Sequence, residues 1–223
     1  MPRLLDLFCG RWGWSRAFAA RGWRCTGVDL TEPSEIPVNC AFIKRDVLDI
    51  GEAVQDPIWL GCFDFIVASS PCEEFSIHMM KHFHKNPKYP EHGIKLFNHT
   101  REILEASGVP YVMENVRAAQ LFVGNAVHHC GPYFLWGSGV PPLVPKGREL
   151  KKGLTSTAKE YYEAAQRGQA AINELRKRYP HSYSGKGSKM RTELTAKAAT
   201  IPPLLANCVA DYAERLLEQR ACA

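Results

Sequence analysis

The sequence predicts an α/β fold of the Rossmann-like kind, a mostly parallel sheet with helices on both faces. Three observations predict it. Short apolar runs of strand length recur through the first half, at 4–8, 23–29, 42–47, 63–68 and 111–113, and helical or glycine-closed segments separate them. The first run leads into a glycine-bearing turn, Cys9-Gly10-Arg11-Trp12-Gly13-Trp14, and then into a helical stretch. Acidic residues stand in or at the ends of successive runs, as Asp6, Asp29, Asp46 and Glu114 do. In an open α/β sheet the carboxyl edge of the strands is where ligands bind.

Each element follows in turn. Residues 4–8 form a strand that carries one acid, Asp6. Gly10 and Gly13 let the backbone come close to a ligand at the N-terminus of the next helix, 15–21, which Gly22 closes. The run 23–29 is a second strand whose last residue, Asp29, comes 19 residues after Gly10. An acid at that place can take both hydroxyls of a ribose. A third strand, 42–47, has Asp46 near its end, and a short helix covers 50–60. Any one of these carboxylates alone reads as an N-cap or loop residue. Three of them on successive strands beside a glycine loop point to a nucleoside-type cofactor.

The run 63–68 has the aromatic and β-branched content of a buried strand. Pro71 stops it, having no N–H to continue a ladder, and Cys72 follows at the carboxyl edge. A lone cysteine is usually a buried filler. The proline before Cys72 and the polar, acidic residues after it argue instead for a nucleophile. Residues 77–92 are His- and Lys-rich and contain Pro87 and Pro90, so an exposed loop is expected. An amphipathic helix follows over 93–107, with Ile94, Phe97 and Leu104 on one side. The strand 111–113 ends in Glu114-Asn115-Val116. Beyond it, 121–127 and 133–136 are expected strands, 137–147 a loop, 157–177 a helix, and 180–188 a basic loop with aromatic residues. The last helix opens at Pro202 or Pro203, with Leu204, Leu205, Val209, Tyr212, Leu216 and Leu217 as its buried stripe. Three parts result: a cofactor-binding and catalytic half at 1–116, a small basic region at 117–197, and a C-terminal helix at 198–223 that packs back on the first part.

Composition bounds the function. The chain has 223 residues with 45% apolar and 23% charged content, enough for one α/β domain with a small appendage. No apolar run approaches the roughly 20 residues of a membrane span, so no membrane association is expected. The first strand starts almost at once, so no signal peptide and a cytoplasmic location are expected. Eight cysteines without a Cys-x-x-Cys pair suit a reducing compartment. The histidines at 78, 82, 84 and 92, with His128-His129-Cys130, match no standard zinc spacing, so no metal is expected. Net charge is +5, and twelve basic residues face four acids between Lys146 and Arg191. Charge alone reads as a solvated helix face, but a locally basic region also suits a polyanion, nucleic acid first.

Together, Asp6-Leu7-Phe8-Cys9-Gly10, then Pro71-Cys72 with Phe75-Ser76, then Glu114-Asn115-Val116 resemble three motifs of the DNA (cytosine-5) methyltransferases, in the right order and at the right separations. The resemblance covers 3–116, and the wording around Cys72 is most like that of small phage- and prophage-encoded members. It implies an S-adenosylmethionine-dependent methyltransferase fold with a basic C-terminal recognition region. It implies that Cys72 adds to C6 of a cytosine flipped out of double-stranded DNA, while Glu114 contacts N3 and the exocyclic amine. The implied cofactor residues are Asp6, Phe8, Cys9, Gly10, Arg11, Trp12, Gly13, Asp29, Leu30, Asp46, Val47 and Pro71. Among these, Phe8 packs on the adenine, Asp29 holds the ribose and Asp46 holds the adenine amine. Ser76, His78, Lys81, Asn115, Arg117, Lys186, Lys189 and Arg191 are the expected substrate contacts, and the protein is expected to act as a monomer.

The sequence departs from that family in four places. Trp12 stands where the loop has glycine, and Ser70 where the first of two prolines precedes the cysteine. The arginine-rich motif after Glu-Asn-Val is not evident, and His128-His129-Cys130 lies near its place. Ala198-Ala199-Thr200-Ile201-Pro202 is the better match to the C-terminal Gly-Asn-Ala-Val-Pro, ahead of Ala206-Asn207-Cys208-Val209. Three alternatives stay open: an RNA cytosine-5 methyltransferase, a catalytically silent nucleic-acid-binding homologue, and a variant using a modified sulfonium donor, for which Arg11 is the one pointer.

Overall fold

Continuous apolar runs mark strands buried on both faces of a parallel sheet. In β1 (Arg3–Leu7) every residue after Arg3 is buried, and in β4 (Phe65–Ser69) every residue before Ser69. The structure, a computed structural model, describes residues 1–53, 60–79, 86, 88–144, 170, 174 and 200–222. The chain divides into two compact units, Met1–Lys146 with Ile201–Ala223, and Gly147–Thr200. Of the second unit only Ala170, Glu174 and Thr200 are described. Ala170 and Glu174 are helical, and the rest of the expected 157–177 helix and the 180–188 loop lie outside the described residues, as do Lys81, Lys186, Lys189 and Arg191.

The first unit is a mixed α/β, Rossmann-like layer built on a seven-stranded sheet of order β3-β2-β1-β4-β5-β7-β6. Strands β2 (Arg24–Asp29), β3 (Cys40–Lys44) and β5 (Tyr111–Asn115) join β1 and β4 in parallel, with Leu4 beside both Cys25 and Phe65. Strand β7 (Tyr133–Trp136) runs antiparallel to β5 and to the edge strand β6 (His128–Cys130). All five parallel strands deliver their carboxyl ends to one edge. The chain order reverses between β1 and β4, which makes the crevice beyond them a topological switch point.

Helices α1 (Ser15–Ala19), α2 (Val47–Ala53), α3 (Glu73–Met79), α4 (Glu91–Ser107), α5 (Gln120–Val123) and α6 (Pro203–Ala221) surround the sheet. Gly108 closes α4 in the left-handed conformation at φ 66°. Helix α6 packs on α1, where Arg21 reaches Asp211 at 2.7 Å and also bonds Asn207. Its buried face is Leu205, Ala206, Val209, Ala210 and Ala213, whose three alanines allow close approach.

Several expectations from the sequence are corrected. The third strand ends at Lys44, because Asp46 Oδ1 accepts the Leu48 N–H at 2.9 Å and starts α2 at Val47. Residues 77–79 belong to α3 instead of a loop, anchored by the buried Phe75, and α4 begins at Glu91. Residues 120–123 are helical, not a strand, and a 3-10 turn, Arg117–Ala119, precedes them. There the Arg101 guanidinium donates to the Val123 carbonyl at 2.9 Å, and the Trp136 indole donates to the Gly124 carbonyl at 3.0 Å. Those side chains satisfy the end of the turn in place of a ladder. In α6, Leu204 is 45% exposed and leaves the expected stripe.

Candidate functional site

The loop after β1 is held from below by one carboxylate. Asp6 is buried, and its Oδ2 accepts from the Ser15 hydroxyl at 2.6 Å and the Ser15 N–H at 3.3 Å. Burial pushes its carboxyl up to about 7, outweighing the Ser15 hydrogen bonds. Above it the backbone turns sharply, with positive φ at Phe8 (60°), Gly10 (47°) and Trp12 (62°). Trp12 thus takes a backbone conformation that favours glycine. Its ring is buried against Gly27, where an added methyl carbon would lie 2.3 Å from Trp12 Cζ3. Its indole N–H donates to the Glu35 carbonyl at 2.9 Å. The indole replaces the flexibility of a glycine with packing, and the glycine of this contact sits on β2 instead.

Asp29 ends β2 and organises the facing wall. Its Oδ2 accepts the Gly10 N–H at 3.1 Å, and its Oδ1 accepts the Thr31 N–H at 3.0 Å. A cavity of about 320 Å3 opens beside it, lined by Phe8, Asp29, Leu30, Asp46, Val47 and Pro71 together with Arg45, Ser69, His92 and Leu96. The first six are among the residues expected at the cofactor. Asp6, Cys9 and Trp12 are buried behind the loop, and Gly10, Arg11 and Gly13 do not line the cavity. Arg45, Ser69, His92 and Leu96 are not among the cofactor residues that the sequence suggests. His92 and Leu96 are four apart and share one face of α4, a pairing legible only once the helix start at Glu91 is known. Ser69 is the polar residue closing an apolar strand, and its hydroxyl accepts the Trp14 indole N–H at 2.9 Å.

The second half of the site lies on β4 and β5. Pro71 lines the cavity, and Cys72 follows it, half-buried. The Cys72 carbonyl accepts the Ser76 N–H at 2.9 Å, which begins α3. Glu114 is buried on β5, and its register partner on β4 is Ser69, three residues before Cys72. The next residue, Asn115, fastens the two strands together. It is fully buried, and its amide donates to the Ser70 carbonyl at 3.1 Å and the Ser70 hydroxyl at 3.0 Å. Ser70, standing where the resembled family has proline, supplies that second acceptor. Asn115 was expected at the substrate; its amide is committed to the loop that carries Cys72. Tyr133 on β7 stands near Glu114: burial raises its phenol to about 12, and the Glu114 charge adds to the rise.

Of the other expected substrate contacts, Ser76 and His78 lie half-buried on α3, with the His78 ring 5.0 Å from that of Phe122. Arg117 is exposed in the 3-10 turn. A dinucleotide places its phosphates on free N–H groups at the helix after β1. Here the Ser15 N–H of that helix is already taken by the Asp6 carboxylate. The carboxylates Asp29 and Asp46 suit ribose hydroxyls and an amine, and Phe8 suits an aromatic ring.

No family model matches the chain, and no curated protein matches it. Among solved structures it is similar to a Rossmann-fold NAD(P)-binding family protein from Shigella flexneri, at 19% identity and a TM-score of 0.30. That match covers 52% of this chain and 66% of the other. Among the described residues, no helix is long and apolar enough to cross a membrane.

Proposed function

We propose that this protein is a DNA (cytosine-5) methyltransferase that uses S-adenosylmethionine. One observation carries the reading. A cavity within the size range of small-molecule sites, lined by Phe8, Asp29, Asp46, Ser69 and Pro71, opens at the switch point of the sheet; Cys72 directly follows its Pro71, and Glu114 is the register partner of its Ser69. Two further features favour a nucleoside donor over a dinucleotide: the Asp6 carboxylate at the start of α1, and the antiparallel β7 between β5 and β6, which departs from the dinucleotide-binding order 3-2-1-4-5-6.

The residues fit the cofactor. Each Asp29 oxygen keeps a lone pair for a ribose hydroxyl after accepting its backbone N–H. Asp46 spends Oδ1 on Leu48, which leaves Oδ2 to accept from the adenine amine. Phe8 offers a ring face. Bound S-adenosylmethionine supplies an electrophilic methyl group.

The chain's own residues do the rest. Cytosine C5 is a weak nucleophile. The Cys72 thiolate adds to C6 of the flipped base and turns C5 into the carbon of an enamine. Glu114 holds N3 and the exocyclic amine and passes a proton to N3 as charge develops in the ring. Asn115 and Ser70 keep Cys72 at a fixed place relative to Glu114. After alkylation, loss of the C5 proton and expulsion of Cys72 restore the aromatic ring. The basic residues between 146 and 191 contact phosphates, so binding weakens steeply with salt. The region between Glu-Asn-Val and the last helix is short for a separate recognition domain, so the target sequence is short or loosely read. Footprinting that showed a long, strictly required site would contradict this.

Covalent trapping tests the reading. Fluorine at C5 cannot leave as the proton does. DNA bearing 5-fluorocytosine, incubated with S-adenosylmethionine and the protein, should therefore give a denaturant-resistant complex of protein and strand. Cys72→Ser should give none. A folded, cofactor-binding wild type that forms no such complex would overturn the proposal.

A further inference from the structure

We propose that Cys25 and Cys40 form a reactive thiol pair, which a small carboxylate-bearing disulfide oxidises to a reversible disulfide between β2 and β3. The two residues are direct partners in the parallel ladder. Neighbouring strands lie about 4.7–4.9 Å apart, within the roughly 4.4–6.8 Å that a disulfide spans between Cα atoms. Ladder partners project their side chains to the same face of a sheet, so the two thiols are neighbours, and the Cys25 thiol also reaches the Ser15 carbonyl at 3.6 Å. Both line a surface cavity of about 540 Å3, whose wall also holds Arg3, Arg24 and Asn39. Cys25 is buried and Cys40 is half-exposed, which assigns Cys40 as the attacking thiol and Cys25 as the resolving one. The neighbouring Cys25 thiol lowers the Cys40 pKa and the Arg16 charge adds to this, against burial and the Asp6 charge, which raise it. Arg3 and Arg24 give the cavity a cationic wall for the carboxylates of the oxidant.

The steps balance. The Cys40 thiolate attacks one sulfur of the small disulfide, forms a mixed disulfide and expels one thiolate. Cys25 then loses its proton, attacks Cys40 Sγ and expels the second thiolate. Two electrons pass from the protein to the oxidant, which leaves as two thiols. The pair stands near the amino ends of β2 and β3 and shares no residue with the cavity at Asp29 and Asp46. This inference therefore stands apart from the proposed methyl transfer.

The test uses the full chain with the exposed Cys62 and Cys222 replaced by Ser, so that neither competes. Reduced protein is treated with oxidised glutathione, alkylated, digested and analysed by mass spectrometry. The expected product is one linked pair of peptides joining Cys25 to Cys40, reversed by dithiothreitol. Cys40→Ser should abolish the link, and Cys25→Ser should stop at a mixed disulfide on Cys40. At low salt, glutathione disulfide should react on the order of tenfold faster than neutral hydroxyethyl disulfide. High salt or Arg24→Ala should narrow that ratio. A link between other cysteines, or no link with Cys40 alkylated no faster than Cys208, would overturn the pair. Equal rates for the charged and neutral disulfides would overturn the anionic oxidant.

Discussion

Replacing Asp6 with Asn should remove a pH-dependent loss of stability. Asp6 is 1% exposed, and its Oδ1 has no hydrogen-bond partner among the described residues. Burial raises its carboxyl from 3.8 to about 7. The native state therefore keeps its proton over a range in which the unfolded chain has released it. The stability this gives is complete below pH of about 4, declines as pH rises, and is gone above about 7. A rise of roughly three units corresponds to about 4 kcal/mol at about 1.36 kcal/mol per unit, of which about 3 kcal/mol falls between about pH 4.5 and pH 8. Asparagine keeps an acceptor for Ser15 and cannot ionise. Urea unfolding of both proteins at those two pH values gives the quantity directly. The stability of the variant relative to wild type should improve by about 3 kcal/mol from the lower pH to the higher. A difference that stays constant, or moves the other way, would refute the account of Asp6 as a buried group whose ionised form the fold disfavours.

Asn115→Ala removes both bonds to Ser70 from a fully buried position and should cost about 2–3 kcal/mol. It should lower methyl transfer while leaving cofactor affinity, read by calorimetry, close to wild type. Gly27→Ala forces a methyl into the Trp12 ring and should destabilise by about 1–3 kcal/mol or more. In a Trp12→Gly background that cost should fall to what the remaining contact with Cys9 Sγ at 2.8 Å imposes, a coupling that a double-mutant unfolding cycle measures. Asp29→Ala should weaken S-adenosylhomocysteine binding by about tenfold or more, since it removes a charged acceptor; titration calorimetry would show it.

Much of the parallel half was legible because its signals are local. Leu4-Leu5 and Ile66-Val67-Ala68 read as strands because a doubly covered strand must be apolar throughout. Asp29 and Asp46 stood out because acids rarely end such runs without reason. The antiparallel end was less legible. Residues 120–123 have the apolar content of a strand, yet Arg101 and Trp136, distant in sequence, satisfy their carbonyls as a helical turn. Helix α3 is not legible in the sequence because its one fully buried anchor, Phe75, stands amid polar neighbours. In the candidate site, the sequence separated two departures that the structure explains together with their neighbours. Trp12, where the resembled family has glycine, packs on Gly27, and Ser70, where it has proline, takes a hydrogen bond from Asn115. Neither pairing has a fixed spacing to read.

The central claim is best tested by mass spectrometry of nucleosides from DNA and from RNA, each incubated with the protein and S-adenosylmethionine, with Cys72→Ala alongside. The account predicts 5-methylcytosine in DNA with the wild type and none with the variant. Methylated cytosine in RNA alone would contradict the substrate. No modified cytosine in either polymer, from folded protein that binds the cofactor, would contradict the reaction itself.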